Sequence, residues 1–370
     1  MTSTDFFDHI ESALTSKHPF VLFSKPDQKS VKAYIQRDLE THLINDFSES
    51  GFVFAPFDHT KDSYYIPFER STILELNLPV FEVLTNTNLF DEVEPTENHF
   101  NRVSKAIAEI KSSNLEKVVL SKEFKFSMEV SNPIEIFKKL AQRYPSAFTY
   151  CWFHPQTGFW FGASPESLLK LEGKSLSTMA LAGTQAFQSS EQVEWDAKNL
   201  KEHAFVTDYL LDVLSDYLDP IKTSGPQTFR AGELLHLQTH ITGRLKSKDH
   251  SLKQLLRAMH PTPAVCGTPR ISALKFIHSN ESYDRAFYAG FFGELNTPTA
   301  PSFRNSKKNI ENRAYQTIRK HTYLAVNLRC MSLKDSQAIL YGGGGITEDS
   351  DPEAECIEIQ NKIQTIKKVL

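Results

Sequence analysis

Mixed helix and strand, of the α/β or α+β class, is the architecture this chain predicts, on three observations. At 370 residues it exceeds a typical single domain, yet chains of this size close around one composite core, as one large domain or two intertwined ones. Its composition, 40% hydrophobic, 11% aromatic and 23% charged with 27 Phe, is that of a folded soluble chain with ample core volume. Runs with helical spacing alternate with short strand-like runs to the end, and no internal repeat, low-complexity stretch or Pro-, Gly- or Ser-rich linker separates them.

Residues 1–94 mix short helical and strand-like runs, among them 51–56, and read as scaffold without a chemical constellation. After Pro95 and Thr96, Val103, Ile107 and Ile110 recur at helical spacing until Ser112, Ser113 and Asn114 break the pattern. A strand over 117–121 follows, and Asn132 and Pro133 open a helix that carries Ile136, Phe137, Leu140 and Ala141. Residues 148–153 and 159–162 form a β-hairpin around the turn-like 154–158. Helix is expected over 191–218 and 252–259, with a strand over 234–242 between them. Residues 288–295 and 337–341 read as strands, 309–327 as mixed, and 351–370 as helix.

Composition narrows the partners. A net charge of −4 without a Lys/Arg block offers no electrostatic footprint for nucleic acid. The N-terminus carries acids where a signal peptide needs basic residues, and nowhere do eighteen apolar residues run together, so a cytosolic protein without a membrane span is expected. Cys151, Cys266, Cys330 and Cys356 are scattered without a Cys-x-x-Cys pair, which argues against a disulfide framework and against a thiolate zinc site.

The most informative segment lies near the C-terminus. Gly342 to Gly345 impose a backbone-entropy cost that a strand interior should not tolerate, which suggests that main-chain N–H groups approach an anion there. Ser350 or Asp351 then caps a helix with Pro352 in its first turn, placing Glu355, Glu358 and Lys362 on one face. The structural alternative is that the glycines make turns, the acids complement the helix dipole, and Glu358 and Lys362 form an ordinary i,i+4 pair. On the functional reading no Gly-Lys-Ser/Thr follows the glycines, so the expected ligand is a small carboxylate, which a hard divalent cation such as Mg2+ could bridge to the glutamates.

Other candidates stand alone in the sequence. Lys117 opens an apolar run, where desolvation makes a lysine a general base; the bland alternative is a lysine at a strand's solvent edge. Glu166 follows an aromatic stretch that could raise its pKa enough for a general acid, or else occupies the first turn of a helix capped by Ser164. Glu202 sits in an amphipathic helix, where a solvated face is the ordinary reading. His236 and His240 share a strand face without a third zinc ligand. Arg329 reads as a guanidinium inside an apolar strand, which needs an acidic partner or an anion. Neither a His-Glu-x-x-His motif nor a Gly-x-Ser-x-Gly elbow occurs.

Taken in order, several segments resemble the chorismate-binding enzymes, the family of isochorismate synthase, anthranilate synthase component I, aminodeoxychorismate synthase and salicylate synthase. They are 117–121, 161–166, Leu181 to Thr184, 260–267, 288–293, and 343–346 with the helix through Glu358. The resemblance covers 95–370; residues 1–94 match loosely, as a divergent part of one chorismate-binding domain spanning 1–370. It implies an α+β fold like that of anthranilate synthase component I, a layered β-α-α-β sandwich with two large sheets and the active site between them.

By this resemblance Glu202 and Glu358 look like Mg2+ ligands, with Glu355 as a direct or water-mediated one. Arg329, Lys362 and the backbone of Gly183 and of the run Gly343, Gly344 and Gly345 look like binders of the carboxylates of chorismate. Thr184, His236, Ala264 and Val265 fall in segments near the ring. Lys117 resembles the base that activates water for attack at C2, and Glu166 the acid that protonates the departing C4 hydroxyl. Ala264 stands where anthranilate synthases have a threonine and some aminodeoxychorismate synthases a nucleophilic lysine, which points to isochorismate synthase. Salicylate synthase, an ammonia-using synthase subunit and a non-catalytic chorismate-binding protein are the alternatives. Departures are Gly344 for an expected alanine, Arg270 for the lysine of aminating relatives, and a short segment between Glu166 and Glu202. A monomer is expected; the fate of isochorismate, whether menaquinone, catechol siderophore or salicylate, depends on downstream enzymes.

Overall fold

A computed structural model describes residues 2–77, 97–128, 132–187, 190, 193–246, 251–298 and 320–370. The first part of the chain gives α1 (Ser3–Thr15), β1 (Phe20–Ser24), β2 (Ser30–Gln36), β3 (Gly51–Ala55), β4 (Tyr64–Pro67) and β5 (Ser71–Asn77). The middle gives α2 (Glu97–Ser112), β6 (Lys117–Ser127), α3 (Pro133–Arg143), β7 (Phe148–His154), β8 (Gly158–Ser164), β9 (Ser167–Glu172) and β10 (Ser175–Ala186). Then come α4 (Ala197–Ser215), β11 (Leu218–Thr223), β12 (Gln227–Ala231), β13 (Leu234–Leu245), α5 (Leu252–Met259), β14 (Gly267–Thr268) and α6 (Arg270–Asn280). The chain closes with β15 (Phe291–Pro298), β16 (Lys320–Val326), β17 (Cys330–Lys334), β18 (Gln337–Ile346) and α7 (Pro352–Lys367).

These strands make two antiparallel sheets. One runs β14-β6-β18-β17-β8-β7-β1-β2-β5, the other β11-β13-β10-β9-β16-β15-β3-β4, with β12 also on β13. The N-terminal strands thus extend both sheets, and the sheets meet face to face there through aromatic side chains: the rings of Phe54 and Trp152 stack at 4.9 Å, and those of Tyr150 and Phe292 lie 4.2 Å apart. Toward the other end, α6 packs on β6 and β14 of the first sheet and α4 on β10 and β13 of the second. Val206 and Leu210 of α4 and Ala273 and Ile277 of α6 enter the same core as the inner faces of both sheets, which gives the β-α-α-β layering. A second apolar cluster, with Phe6, Ile10, Phe137, Leu140, Ile359 and Ile363, seals α1, α3 and α7 against the outer face of the first sheet.

Local sequence explains most boundaries. Asn132 caps α3 ahead of Pro133, and Asp351 rather than Ser350 caps α7, accepting from the Ala354 amide ahead of Pro352 at the helix start. The helix expected from 191 begins at Ala197, where Asp196 supplies the cap, and stops before Leu218, which opens β11. The strand expected from 288 starts at Phe291, because Ala286 and Ala289 take φ of 47° and 59° and turn the chain there. Of 309–327, the described part from Lys320 is mainly strand β16; the rest lies outside the described residues, as do Pro95 and Thr96.

The glycine run corrects an expectation. Residues 342–345 do not leave the sheet but form the end of β18, in register with Lys122 to Val119 of β6. The entropy cost is accepted because side chains from other elements occupy the space a Cβ would need. A Cβ on Gly345 would lie 2.2 Å from Glu202 Oε1, and one on Gly343 2.6 Å from Tyr288 Oη.

Candidate active site

Where the sheets part, a cavity opens that draws its walls from both. Val119 of β6, the Gly343 and Gly345 backbone of β18, Glu202 of α4, His236 of β13, Ala264, Val265, Arg329 and Lys362 of α7 all line it. So do Glu166, Gly183 and Thr184. The expected residues that do not line it are Lys117, Gly344, Glu355 and Glu358. Lys117 lies just behind the wall, its Cε 2.9 Å from the Cβ position of Gly345. Gly344 faces the α7 side, 3.1 Å from Glu355 Oε2 at its Cβ position.

Lys117 is fully buried, not at a solvent edge, and its Nζ lies 3.0 Å from Glu202 Oε1. Beyond this ion pair Nζ has no acceptor among the described residues, which leaves it free to engage a third group. Burial works to raise the Glu202 carboxyl, but Lys117, Lys362 and Lys198 together hold it below its ordinary value.

Glu166 is 4% exposed and sits in no helix. Its segment crosses from β8 to β9, with the Ser164 hydroxyl donating to Val326 O at 2.6 Å and the Val326 amide donating to Glu166 O at 3.0 Å. Burial pushes the Glu166 carboxyl up to about 8, against the opposing pull of Lys117, Arg329 and Lys362. It therefore carries a proton at neutral pH.

Arg329 departs from the strand expected for it. It stands in a bend just before β17 with φ 48°, which turns the guanidinium out of the sheet and into the cavity. Its Nη2 lies 3.3 Å from His236 Nε2, and His236 Nδ1 lies 3.0 Å from Gly183 O. A carbonyl only accepts, so Nδ1 carries the proton and the bare Nε2 accepts from Arg329. Burial, then Arg329 and Lys362, push the imidazole down to about 3, keeping it neutral. His240 is exposed and takes no part.

On α7, Lys362 Nζ lies between Glu358 Oε1 at 2.6 Å and Gly343 O at 2.9 Å, which leaves one ammonium proton for a ligand carboxylate. Glu355 is 1% exposed, held by Lys198 Nζ at 2.5 Å and the Ser350 hydroxyl at 2.7 Å. Its Oε2 has no hydrogen-bond partner among the described residues, and burial followed by the charge of Glu358 raises its carboxyl. The donor chemistry fits Mg2+: three carboxylates, of which Glu355 has an orphaned buried oxygen and is raised by the charge of Glu358, a repulsion that a hard divalent cation relieves. The three do not, however, draw their oxygens within 4.8 Å of one another. Each carboxylate in this structure is instead closed on a lysine, Glu202 on Lys117, Glu355 on Lys198 and Glu358 on Lys362.

Sequence reasoning missed Tyr288, whose hydroxyl fills the space left by Gly343, and Lys198, although Lys198 stands four residues before Glu202 on the same helix. It also missed Asn199, whose Oδ1 accepts from the Thr184 amide at 2.9 Å. The Asp-x-x-Asn spacing signals a cap there but says nothing of Thr184. Arg270 lies apart from the cavity lining and binds Tyr209 Oη and the Arg257 and Ala258 carbonyls.

The family model described as chorismate binding enzyme matches residues 70–304 and 315–370. The chain belongs to this family. Isochorismate synthase DhbC of Bacillus subtilis (strain 168) is 28% identical over 296 residues, 75% of this chain and 69% of that one. Isochorismate synthase EntC of Escherichia coli (strain K12) is 28% identical over 277 residues, 72% of this chain and 65% of that one, so the chain spans about two thirds of the length of these curated relatives. Among solved structures, MenF, the menaquinone-specific isochorismate synthase from Escherichia coli, superposes with TM-score 0.76 at 20% identity, covering 95% of this chain and 88% of its own. Anthranilate synthase component I from Streptococcus pneumoniae TIGR4 gives 0.65 at 16% identity, covering 94% and 92%. The fold of this chorismate-binding enzyme is therefore the α+β type of anthranilate synthase component I.

No described helix is long and apolar enough to cross a membrane.

Proposed function

We propose that this chorismate-binding enzyme is an Mg2+-dependent isochorismate synthase, converting chorismate to isochorismate. The observation that carries this reading is Glu166, a buried carboxyl that keeps its proton at neutral pH, facing a cavity behind whose Gly345 wall Lys117 lies. The names of the relatives at 28% identity point the same way. Arg329, Lys362 and the amides of Gly183 and the β18 glycines receive the two carboxylates of chorismate, with Thr184, His236 and Val265 around the ring. Lys117, as the neutral amine, takes a proton from water as the water oxygen bonds to C2; the double bonds shift, the C4–O bond breaks, and Glu166 gives its proton to the leaving hydroxyl. The proton on Lys117 then passes back to Glu166 through solvent before the next turnover. One water enters and one leaves, so the reaction is an isomerisation. Glu202 and Glu358, with Glu355 beside them, would hold Mg2+, which when bound supplies positive charge to the ring carboxylate. Ala264 offers neither hydroxyl nor amine, which disfavours an ammonia-using or covalent route.

Chromatography of the products from chorismate and Mg2+, with and without ammonium, tests the proposal. Isochorismate alone in both is expected. Salicylate with pyruvate, an aminated product, or binding without turnover would each overturn it.

A further inference from the structure

The register of β10 against β13 slips between Ala182 and Thr184, so Gly183 bulges out of the ladder with φ +77°. Side chains from two other elements hold this bulge. His236 Nδ1 donates to Gly183 O at 3.0 Å, and Asn199 Oδ1 accepts from the Thr184 amide at 2.9 Å. Asn199 is 9% exposed, and its Nδ2 is anchored on Asp196 Oδ1 at 2.9 Å. Capping of α4 does not need this side chain, because Asp196 already accepts from the Asn199 backbone amide at 2.7 Å. The absence of a Cβ on Gly183 is what lets Asn199 come so close; an added Cβ would lie 3.1 Å from its Oδ1.

We propose that Asn199 is a positioning residue for the substrate-carboxylate site: its Oδ1 pins the Gly183 bulge, whose carbonyl selects the Nδ1-protonated form of His236, which in turn holds Arg329 toward the cavity. The chain of contacts is continuous from Asp196 to the guanidinium. Without the amide acceptor the bulge carbonyl is no longer held against the ring. The proton can then move to Nε2, where it meets the N–H of Arg329 and turns the guanidinium away. The part concerning substrate rests on the chorismate reading of the cavity; the part concerning His236 does not.

Two readouts separate them. Long-range 1H–15N NMR of the ligand-free protein, with the His236 signals assigned by comparison with His236→Gln, reports the tautomer, and chorismate kinetics report KM and kcat. Asn199→Ala, and Asn199→Leu, which keeps the side-chain bulk, should shift His236 toward Nε2–H and raise KM about tenfold while kcat stays within about threefold, the scale of one lost hydrogen bond. The paired exchange of Asn199→Asp with Asp196→Asn keeps an acceptor for the Thr184 amide and a donor opposite it, and should recover most of that loss. An unchanged tautomer in both Ala and Leu variants, or a paired exchange as impaired as they are, overturns the proposal. Absence of isochorismate formation by the parent would sink the proposed function, while the tautomer would still decide the role of Asn199.

Discussion

Glu166→Gln should make the protein more stable at alkaline pH while removing the proposed acid. In the unfolded chain the Glu166 carboxyl titrates at its ordinary 4.5, and in the folded protein burial moves it up to about 8. Between those values the unfolded state has lost the proton and the native state keeps it, so stability falls as pH rises. The penalty is absent below about pH 4.5, grows by about 1.4 kcal/mol per pH unit, and levels off above pH 8 at about 5 kcal/mol. Water reaching the carboxyl from the cavity will reduce this, so a gain of about 2–5 kcal/mol is expected at pH 9. Glutamine cannot ionise and is spared the whole penalty. Urea unfolding of parent and variant between pH 5.5 and 9 measures it directly: the advantage of the variant should widen with pH and then plateau. A difference that does not change with pH, or a parent more stable than the variant at pH 9, would refute the argument that burial dominates at this carboxyl. For the same reason kcat/KM of the parent should decline as pH passes about 8.

Lys117→Ala should lower kcat at least about 100-fold while chorismate binding, followed by calorimetry, stays measurable; turnover within a few-fold of the parent would remove Lys117 from the role of base. Glu358→Ala should raise the Mg2+ concentration giving half-maximal activity at least about tenfold, and an unchanged titration would show that this carboxylate does not bind the metal. Gly345→Ala places a methyl 2.2 Å from Glu202 Oε1 and 2.9 Å from Lys117 Cε, so kcat should fall about 100-fold with a stability loss of about 1–3 kcal/mol. An alanine variant with parental kcat would mean that neither side chain needs its present place.

The helices were largely legible because their signals are local. The residues 252–259 are apolar on one face and α5 takes those same bounds; Asn132 with Pro133, and Asp351 with Pro352, announce α3 and α7 by capping chemistry that needs only neighbours in the chain. The hairpin of β7 and β8 was legible for the same reason. Strands β9, β10, β11, β12 and β17 were not read, since runs of middling polarity acquire strand character only beside the strands they pair with. The glycine run misled most instructively. Composition makes it a poor strand, yet β6 on one side and Glu202, Tyr288 and α7 around it make a strand without side chains the only one that fits.

The sequence by itself determined which chemical groups are present and in what order: a lysine in an apolar run, a carboxyl after aromatic residues, an arginine with apolar neighbours, and two glutamates and a lysine along one helix. Tertiary structure alone decided what each of them meets. Lys198 and Glu355 pair across 157 residues, and Arg329 reaches His236 across 93. The physical reason is that periodicity and capping report how a segment treats its immediate neighbours and solvent. Burial, pKa and the choice of hydrogen-bond partner instead depend on which distant surface is pressed against it. The proton on Glu166 is a case in point: it exists because two sheets close over a carboxyl that, in the extended chain, would be an ordinary acid.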